Sequence, residues 1–134
     1  MTEPGLRTRS AREVLDDHLQ LANEGALEDD LARNVAPNIV ILSGRGVFRG
    51  HDGVQELARQ LMTEIPSGRW TYLSTQVEGR MAFLEWVVDD GPHRIPDGAD
   101  SYLIEDGWIT AQTIHYTVTD ADGRVLIRAD GSRP

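Results

Sequence analysis

The sequence of 134 residues contains no cysteine and no lysine, and each absence removes a class of chemistry. Without cysteine there are no disulfides, thiolate nucleophiles or cysteine-ligated metals. Without lysine there is no Schiff-base mechanism, since all 13 basic residues are arginine. No run approaches the roughly 20 apolar residues of a membrane span. The N-terminal residues have no apolar core and so predict no secretory signal, and we expect a cytoplasmic protein.

Positive charge is also scarce. The 13 basic residues stand against 22 acidic ones, which gives a formal net charge of −9. The arginines are scattered singly, whereas a nucleic-acid-binding protein carries a basic stripe. An acidic balance disfavours polyanionic partners. We therefore expect neither nucleic acid nor a membrane as a partner of this single globular domain.

Motifs for metals, nucleotides and nucleophilic catalysis are missing as well. The four histidines have no metal-ligand spacing. Ser43 lies outside any GxSxG elbow, and the glycines that follow it do not form a phosphate loop. The sequence therefore predicts no metal and no cofactor. The histidines are His18, His51, His93 and His115.

The first half of the chain has helical periodicity. Ser10 and Glu13 have the spacing of a capping box, which predicts a helix beginning there after a loose arm over residues 1–9. His18 lies in line with the apolar stripe of this helix. It is either a core histidine or a polar group that lines a pocket. A shorter helix ends before Pro37, and strand 39–42 follows with a short return strand.

A third helix is predicted next, with Asp52 as its N-cap and an apolar face that ends at Ile65. Beyond Pro66 the chain is β-rich, with strands over 70–78 and 81–88 and a long hairpin around the Asp-Gly pair at 106–107. Residues 119–134 form a polar tail with a possible short extra strand over 124–128. Helices first and strands second predict an α+β fold, in which about three helices pack on the concave face of a curved antiparallel sheet.

Three stretches carry a family resemblance: Phe48–Val54 before the third helix, Leu84–Trp86 in the middle strands, and Asp100–Ile109 in the hairpin. With the order of elements, they make residues 10–118 resemble the nuclear transport factor 2-like superfamily, and its SnoaL-like branch in particular. The resemblance implies a cone-shaped fold. Members include ketosteroid isomerases, polyketide cyclases, epoxide hydrolases, dehydratases and binding subunits without chemistry, so fold alone does not give function.

The resemblance also implies places for site residues. Asp100 falls near the position where the isomerases hold an oxyanion-donating aspartate, and His18 falls where they hold a tyrosine on the first helix. Ser43 or its neighbours fall where they hold the catalytic aspartate base. Thr117 stands near the late acid of the cyclases, and Asp120 comes slightly too late. Two of the usual acids are thus missing or displaced.

Turn geometry decides which residues share a face with Asp100, because a slip of one residue turns every side chain to the opposite face. A two-residue turn at 106–107 puts Asp100 with Thr113 and His115. A three-residue turn at 105–107 puts it with Gln112, Ile114 and Tyr116, which is the arrangement we favour. His115 then lies on the outer sheet face.

These expectations combine into a pocket with one acid. We expect Asp100 and His18 to be catalytic, with Asp100 as acid or oxyanion donor and His18 as base or hydrogen-bond donor, because an apolar setting raises the pKa of a carboxyl. The alternative is that Asp100 is a structural carboxylate and that the aromatic residues around it belong to an ordinary hydrophobic core. The expected substrate-binding residues are Trp86, Tyr102, Gln112, Ile114 and Tyr116.

Two functions remain open. One is an enzyme that acts on a small, largely apolar, oxygenated molecule by isomerisation, cyclisation, dehydration or hydrolysis. The other is a non-catalytic ligand-binding or interaction module, favoured by the missing second carboxylate. In either case the outer face of a long twisted sheet is poorly suited to water, so we expect a homodimer through that face.

Overall fold

The computed structural model describes residues 5–134. A 3-10 turn, Leu6–Thr8, precedes three α-helices and eight strands. The helices are α1 (Ala11–Asn23), α2 (Leu27–Asn34) and α3 (Gly50–Glu64). The strands are β1 (Val35–Ser43), β2 (Gly46–Arg49), β3 (Arg69–Glu78), β4 (Met81–Asp89), β5 (His93–Glu105), β6 (Trp108–His115), β7 (Val118–Asp120) and β8 (Val125–Ile127).

One curled sheet with the spatial order β2-β1-β6-β5-β4-β3 forms the floor of the molecule. Helix α3 packs on β1, and α1 packs on β3, β4 and β5. The α+β cone predicted from the sequence is therefore confirmed. The sheet is mixed, because β1 runs parallel to β6 while its other pairs are antiparallel. Helix α3 and strands β2, β3, β4 and β5 lie between β1 and β6 along the chain, so the connection is long enough for the two strands to run parallel.

The core lies between the helices and the concave face of the sheet. Its fully buried side chains come from α1, β1, β4, β5, β6 and β7, and each contributes about 1.5–3 kcal/mol to folding when it leaves water. The largest of them are Trp86, Leu15, Ile39, Ile41, Ile95 and Ile109.

Helix α1 begins as predicted. The Ser10 hydroxyl accepts a hydrogen bond from the Glu13 amide at 3.1 Å, and the Glu13 carboxylate accepts one from the Ser10 amide at 2.9 Å. The prediction of Asp52 as the N-cap of α3 is wrong, because the cap is Arg49 and the helix starts at Gly50. Gly50 has a φ of +64°, which lets the chain turn directly from β2 into the helix.

The described part of the N-terminal arm packs more closely than the sequence predicts, and the tail contains the short extra strand that the sequence offered as a possibility. The loose arm was predicted over residues 1–9, of which 1–4 lie outside the described residues. Leu6 is 5% exposed, and its carbonyl oxygen would lie 2.1 Å from a Cβ added to Gly107, so the arm rests on the turn of the long hairpin. In the tail, Val125–Ile127 forms the short strand β8, which pairs with β7.

In the long hairpin, Gln112 and Ile114 share the face of Asp100 as predicted, but a different feature of the hairpin causes this register. Its turn has two residues, Asp106 and Gly107, both with positive φ, as in a type I′ turn. The predicted three-residue turn is therefore wrong. A β-bulge between the pairs Ile104–Ile109 and Leu103–Ala111 supplies the shift of one residue instead.

We predict that Gly98→Ala destabilises the protein by about 1–3 kcal/mol, because an added Cβ would overpack the core. That Cβ would lie 2.2–2.6 Å from three atoms of the Trp86 indole. Urea unfolding measures the loss. Gly5→Ala is the matched control, since its added Cβ meets nothing within 4 Å. Equal stability of the two variants would contradict this account of Gly98.

Candidate functional site

Asp100 lies on the concave face of β5 and is 6% exposed. Its Oδ1 accepts a hydrogen bond from the Trp86 indole at 2.9 Å. Its Oδ2 accepts from the Tyr102 hydroxyl at 2.8 Å and from the Gln112 amide at 3.3 Å. A carboxylate has about four acceptor sites, so one of them stays available. Ile114 pairs directly opposite Asp100 on β6.

Burial raises the pKa of Asp100 to about 6, although its three donors and His18 act to lower it. Desolvation therefore outweighs the hydrogen bonds. The group changes charge near neutral pH, where an ordinary aspartate is fully ionised. This property suits a residue that takes up and releases protons.

His18 forms a buried pair with an aspartate that sequence reasoning missed. Its Nδ1 lies 2.7 Å from Oδ2 of Asp30 in α2, and the Asn34 side-chain amide donates to Oδ1 of Asp30 at 2.9 Å. Burial alone would lower the pKa of His18, but the hydrogen bond and charge of Asp30, together with the charge of Asp100, raise it. Asp30 and Asn34 are four residues apart on one helix face, and this spacing is the only signal the sequence offered.

Tyr102 connects the two acid–base groups. Its hydroxyl bonds Asp100, and its ring meets the His18 imidazole edge to face with centroids 5.6 Å apart. Burial raises the pKa of Tyr102 well above its ordinary value, so it remains a neutral donor. The structure thus brings His18, Asp100, Tyr102, Gln112 and Trp86 into one network.

Tyr116 lies farther along the same interior. Its ring centroid is 5.9 Å from that of Trp86, but its hydroxyl donates to Oε1 of Glu64 at 3.1 Å rather than to Asp100. Trp86 also stacks on Trp70 with centroids 4.7 Å apart. Aromatic rings therefore fill the space between the Asp100 network and Tyr116.

The other positions implied by the resemblance hold structural groups. The Ser43 hydroxyl accepts from the Arg45 amide at 2.9 Å within the β1–β2 turn. Thr117 bonds Asp97 through both its amide and its hydroxyl, each at 2.8 Å. His115 lies on the outer face and is exposed.

Asp100 itself is almost fully shielded from solvent. Two clefts of about 490 and 560 Å³ lie elsewhere, one beside the C-terminal tail and one between the ends of β3 and β4. Neither is lined by any residue of the Asp100 network. Within residues 5–134, no group of three or more histidine, aspartate or glutamate side chains is arranged to hold a metal ion. None of the helices described is both long and apolar enough to cross a membrane.

We predict that folding stability falls as pH rises from about 4 to 6 because of Asp100. Its folded pKa of about 6 lies above the ordinary 3.8, so the folded state binds the proton more tightly. The stabilisation is complete below the ordinary pKa and is lost as the pH rises through the pKa of the folded state. For a shift of this size it is on the order of 3 kcal/mol.

Urea unfolding of the wild type and Asp100→Asn at several pH values in this window measures the effect. The difference between the two proteins should change with pH in this direction. The raised pKa of His18 acts with the same sign at higher pH, above its ordinary 6.5. A constant difference between pH 4 and 6 would contradict the raised pKa of Asp100.

Comparison with known proteins agrees with this architecture. The sequence model of the SnoaL-like domain matches residues 15–112. A search of curated proteins gives no match. Among solved structures, a candidate ketosteroid isomerase from Kribbella flavida is 16% identical with a TM-score of 0.67, covering 79% of this chain and 76% of its own.

Two further structures have the same fold. A nuclear transport factor 2-like protein of unknown function from Burkholderia xenovorans is 15% identical with a TM-score of 0.67, covering 84% of this chain and 86% of its own. A candidate SnoaL-like polyketide cyclase from Mesorhizobium loti is 16% identical with a TM-score of 0.58, covering 81% of this chain and all of its own. Because the domain match spans well over half of the sequence, this chain belongs to the SnoaL-like domain family.

Proposed function

We propose that this protein is a cofactor-independent enzyme that isomerises, cyclises, dehydrates or hydrolyses a small, largely apolar, oxygenated molecule by acid–base chemistry. One observation carries the proposal: a buried carboxyl with a pKa of about 6 shares an interior with a histidine–aspartate pair. Proton transfer is most effective between groups whose pKa values lie near the operating pH.

The directions of the two pKa shifts assign the roles. Asp100 loses its proton at about pH 6, whereas the pKa of His18 is raised above 6.5. These two directions favour an ionised Asp100 beside a protonated His18. Asp100 is then the base, where the sequence led us to expect an acid or oxyanion donor, and His18 is the acid, where we expected a base or hydrogen-bond donor. The hydrogen bond to Asp30 orients the His18 ring, and the charge of Asp30 stabilises the protonated form of His18.

In the proposed reaction, the one unoccupied acceptor site of Asp100 receives a proton from the carbon next to a carbonyl group, and the electron pair of the broken C–H bond moves onto the carbonyl oxygen. Protonated His18 stabilises the oxygen on which negative charge develops. Tyr102 and Gln112 hold the carboxylate in place, and Trp86, Ile114 and Tyr116 contact the apolar part of the ligand. Because Asp100 is almost fully shielded from solvent, ligand entry requires side chains around it to move.

We predict that the protein speeds exchange of the α-protons of 2-tetralone, a small apolar ketone, in D2O. Proton NMR measures the exchange rate. Asp100→Asn and His18→Gln should each lower the enzymatic rate by about 100-fold or more, as expected when an acid or base is lost. The wild-type rate should rise with pH through about 6 as Asp100 ionises.

His51→Gln is the control. His51 is bound to the Val35 carbonyl oxygen at 2.8 Å and lies outside the network, so its loss should leave the exchange rate unchanged. A buffer-level rate with bound 2-tetralone would instead support a non-catalytic binding module. The three protein donors to Asp100 favour that second function, because they occupy most of the acceptor sites of the carboxylate.

We also propose a homodimer through the outer face of the sheet. Phe83, Ser101, Thr113 and Leu42 lie in one row across four strands of that face. Phe83 is 37% exposed, Leu42 is 51% exposed, and Met81 on the same face is 69% exposed. Large exposed apolar side chains at both ends of a row whose middle residues are the small Ser101 and Thr113 are typical of a protein–protein interface.

We predict that the wild type sediments as a dimer at micromolar concentration and that Phe83→Glu sediments as a monomer, because a charge in the centre of the interface would lose its hydration. Met62→Glu is the matched control, since Met62 is 64% exposed on α3, away from this face. A wild-type monomer, or a dimer that survives Phe83→Glu, would contradict the proposed interface.

A further inference from the structure

Arg45 in the β1–β2 turn is buried at the end of the interior opposite His18. Its side chain is 9% exposed and forms a two-pronged ion pair with Glu64 at the end of α3. The guanidinium lies 4.5 Å from the centroid of the Tyr116 ring, which it covers. Burying an arginine is costly, and the pair with Glu64 offsets that cost only in part.

One donor of this guanidinium is unused. The Nε of Arg45 is buried and has no hydrogen-bond partner. A buried donor without an acceptor is rare in folded proteins and calls for a physical explanation. The covering segment here is the end of the tail, since a Cβ added to Gly131 would lie 3.7 Å from this nitrogen.

The covering segment, residues 128–132, bonds to itself rather than to Arg45. The Arg128 and Gly131 amides donate to the Ser132 and Arg128 carbonyl oxygens, each at 2.8 Å. Asp130 accepts from the amide and the hydroxyl of Ser132. All hydrogen bonds described for residues 128–132 join two of these residues, so the segment can move without breaking hydrogen bonds to the body. The attraction between the Asp130 carboxylate and Arg45, which helps to raise the pKa of Arg45, is what holds the segment there.

Open space and positive charge adjoin this cover. The cleft of about 490 Å³ is lined by Arg124, Arg128 and Ala129, together with Thr117, the residue after Tyr116. In a chain with a net charge of −9, two arginines therefore line one cleft beside the cover. Their positive charge favours an anionic ligand group over a neutral one.

We propose that Arg45 recognises a carboxylate at one end of the ligand, and that segment 128–132 moves aside to admit it. The free Nε–H supplies the first hydrogen bond to the carboxylate. Tyr116 and Trp86 then connect this end of the interior to Asp100 at the other. The ligand class is an apolar acid that also carries a hydroxyl or carbonyl oxygen. The inference rests on the proposed function, in that the interior binds the ligand.

The test compares two fluorescent probes, 6-hydroxy-2-naphthoate and 2-naphthol, which differ only in the carboxylate. Fluorescence titration measures their affinities for the wild type and for the double variant Arg45→Met/Glu64→Gln. This variant removes both charges together, because removing Arg45 alone would leave Glu64 buried and unpaired. The glutamine introduced by Glu64→Gln still offers a side-chain oxygen to the Tyr116 hydroxyl.

The wild type should bind the acid about tenfold more tightly than 2-naphthol, as expected for a charge-assisted hydrogen bond. The double variant should lose this preference while keeping its affinity for 2-naphthol. Arg59→Met is the control, because Arg59 is 67% exposed on α3 and should leave the preference intact. Equal affinities in the wild type, no binding of the acid, or a preference that survives in the double variant would overturn the proposal.

A separate experiment tests the movement of segment 128–132. Stopped-flow association of the acid should become several-fold faster in Asp130→Ala, which removes the acceptor that holds the segment in its turn. Asp122→Ala, in the β7–β8 turn of the same tail, should not change it. Equal association rates in the wild type, Asp130→Ala and Asp122→Ala would contradict the proposal that segment 128–132 moves aside. If the preference for the acid holds while Asp100→Asn leaves 2-tetralone exchange unchanged, the acid site stands and the catalytic proposal fails.

Discussion

The structure depends on one constraint: the Asp100 carboxylate is enclosed by the apolar core and must be compensated there. A buried ionised group is tolerated only when donors surround it. The three donors come from Trp86 on β4, Tyr102 on β5 and Gln112 on β6, so the constraint links three neighbouring strands. Even so, desolvation prevails and leaves the group with a pKa of about 6. The compensation is thus enough to permit folding but leaves the proton exchangeable.

This arrangement requires an accurate register in the long hairpin. With the two-residue turn alone, Thr113 and His115 would share the face of Asp100, and Gln112 would point outward. The bulge before Leu103–Ala111 restores the other register, so that Gln112 and Ile114 face the core. The packing of Gly98 against the Trp86 indole positions the indole N–H as a donor to Asp100, because any larger residue at position 98 would occupy the space of the ring.

Local sequence patterns predicted much of the fold but did not predict contacts between residues far apart in the chain. The capping box, the apolar periodicities and the Asp-Gly turn act over a few residues, so the order of helices and strands followed from them. The face of Asp100 was predicted correctly, although by the wrong turn, because a turn of three residues and a bulge have the same effect on register. Asp30 and Arg45 were not predicted as site residues. Their partners, His18 and Glu64, lie 12 and 19 residues away, and the angles between packed elements decide such contacts.

The positions of the charged groups explain how one small fold could both exclude water and manage protons. His18 and Asp100 each raise the other's tendency to be charged, because the interior screens their attraction weakly. At the other end, Arg45 and Glu64 already neutralise each other, and an entering carboxylate would meet a donor that no protein group uses. The apolar rings of Trp86 and Tyr116 lie between these two ends and keep the two sets of charges apart.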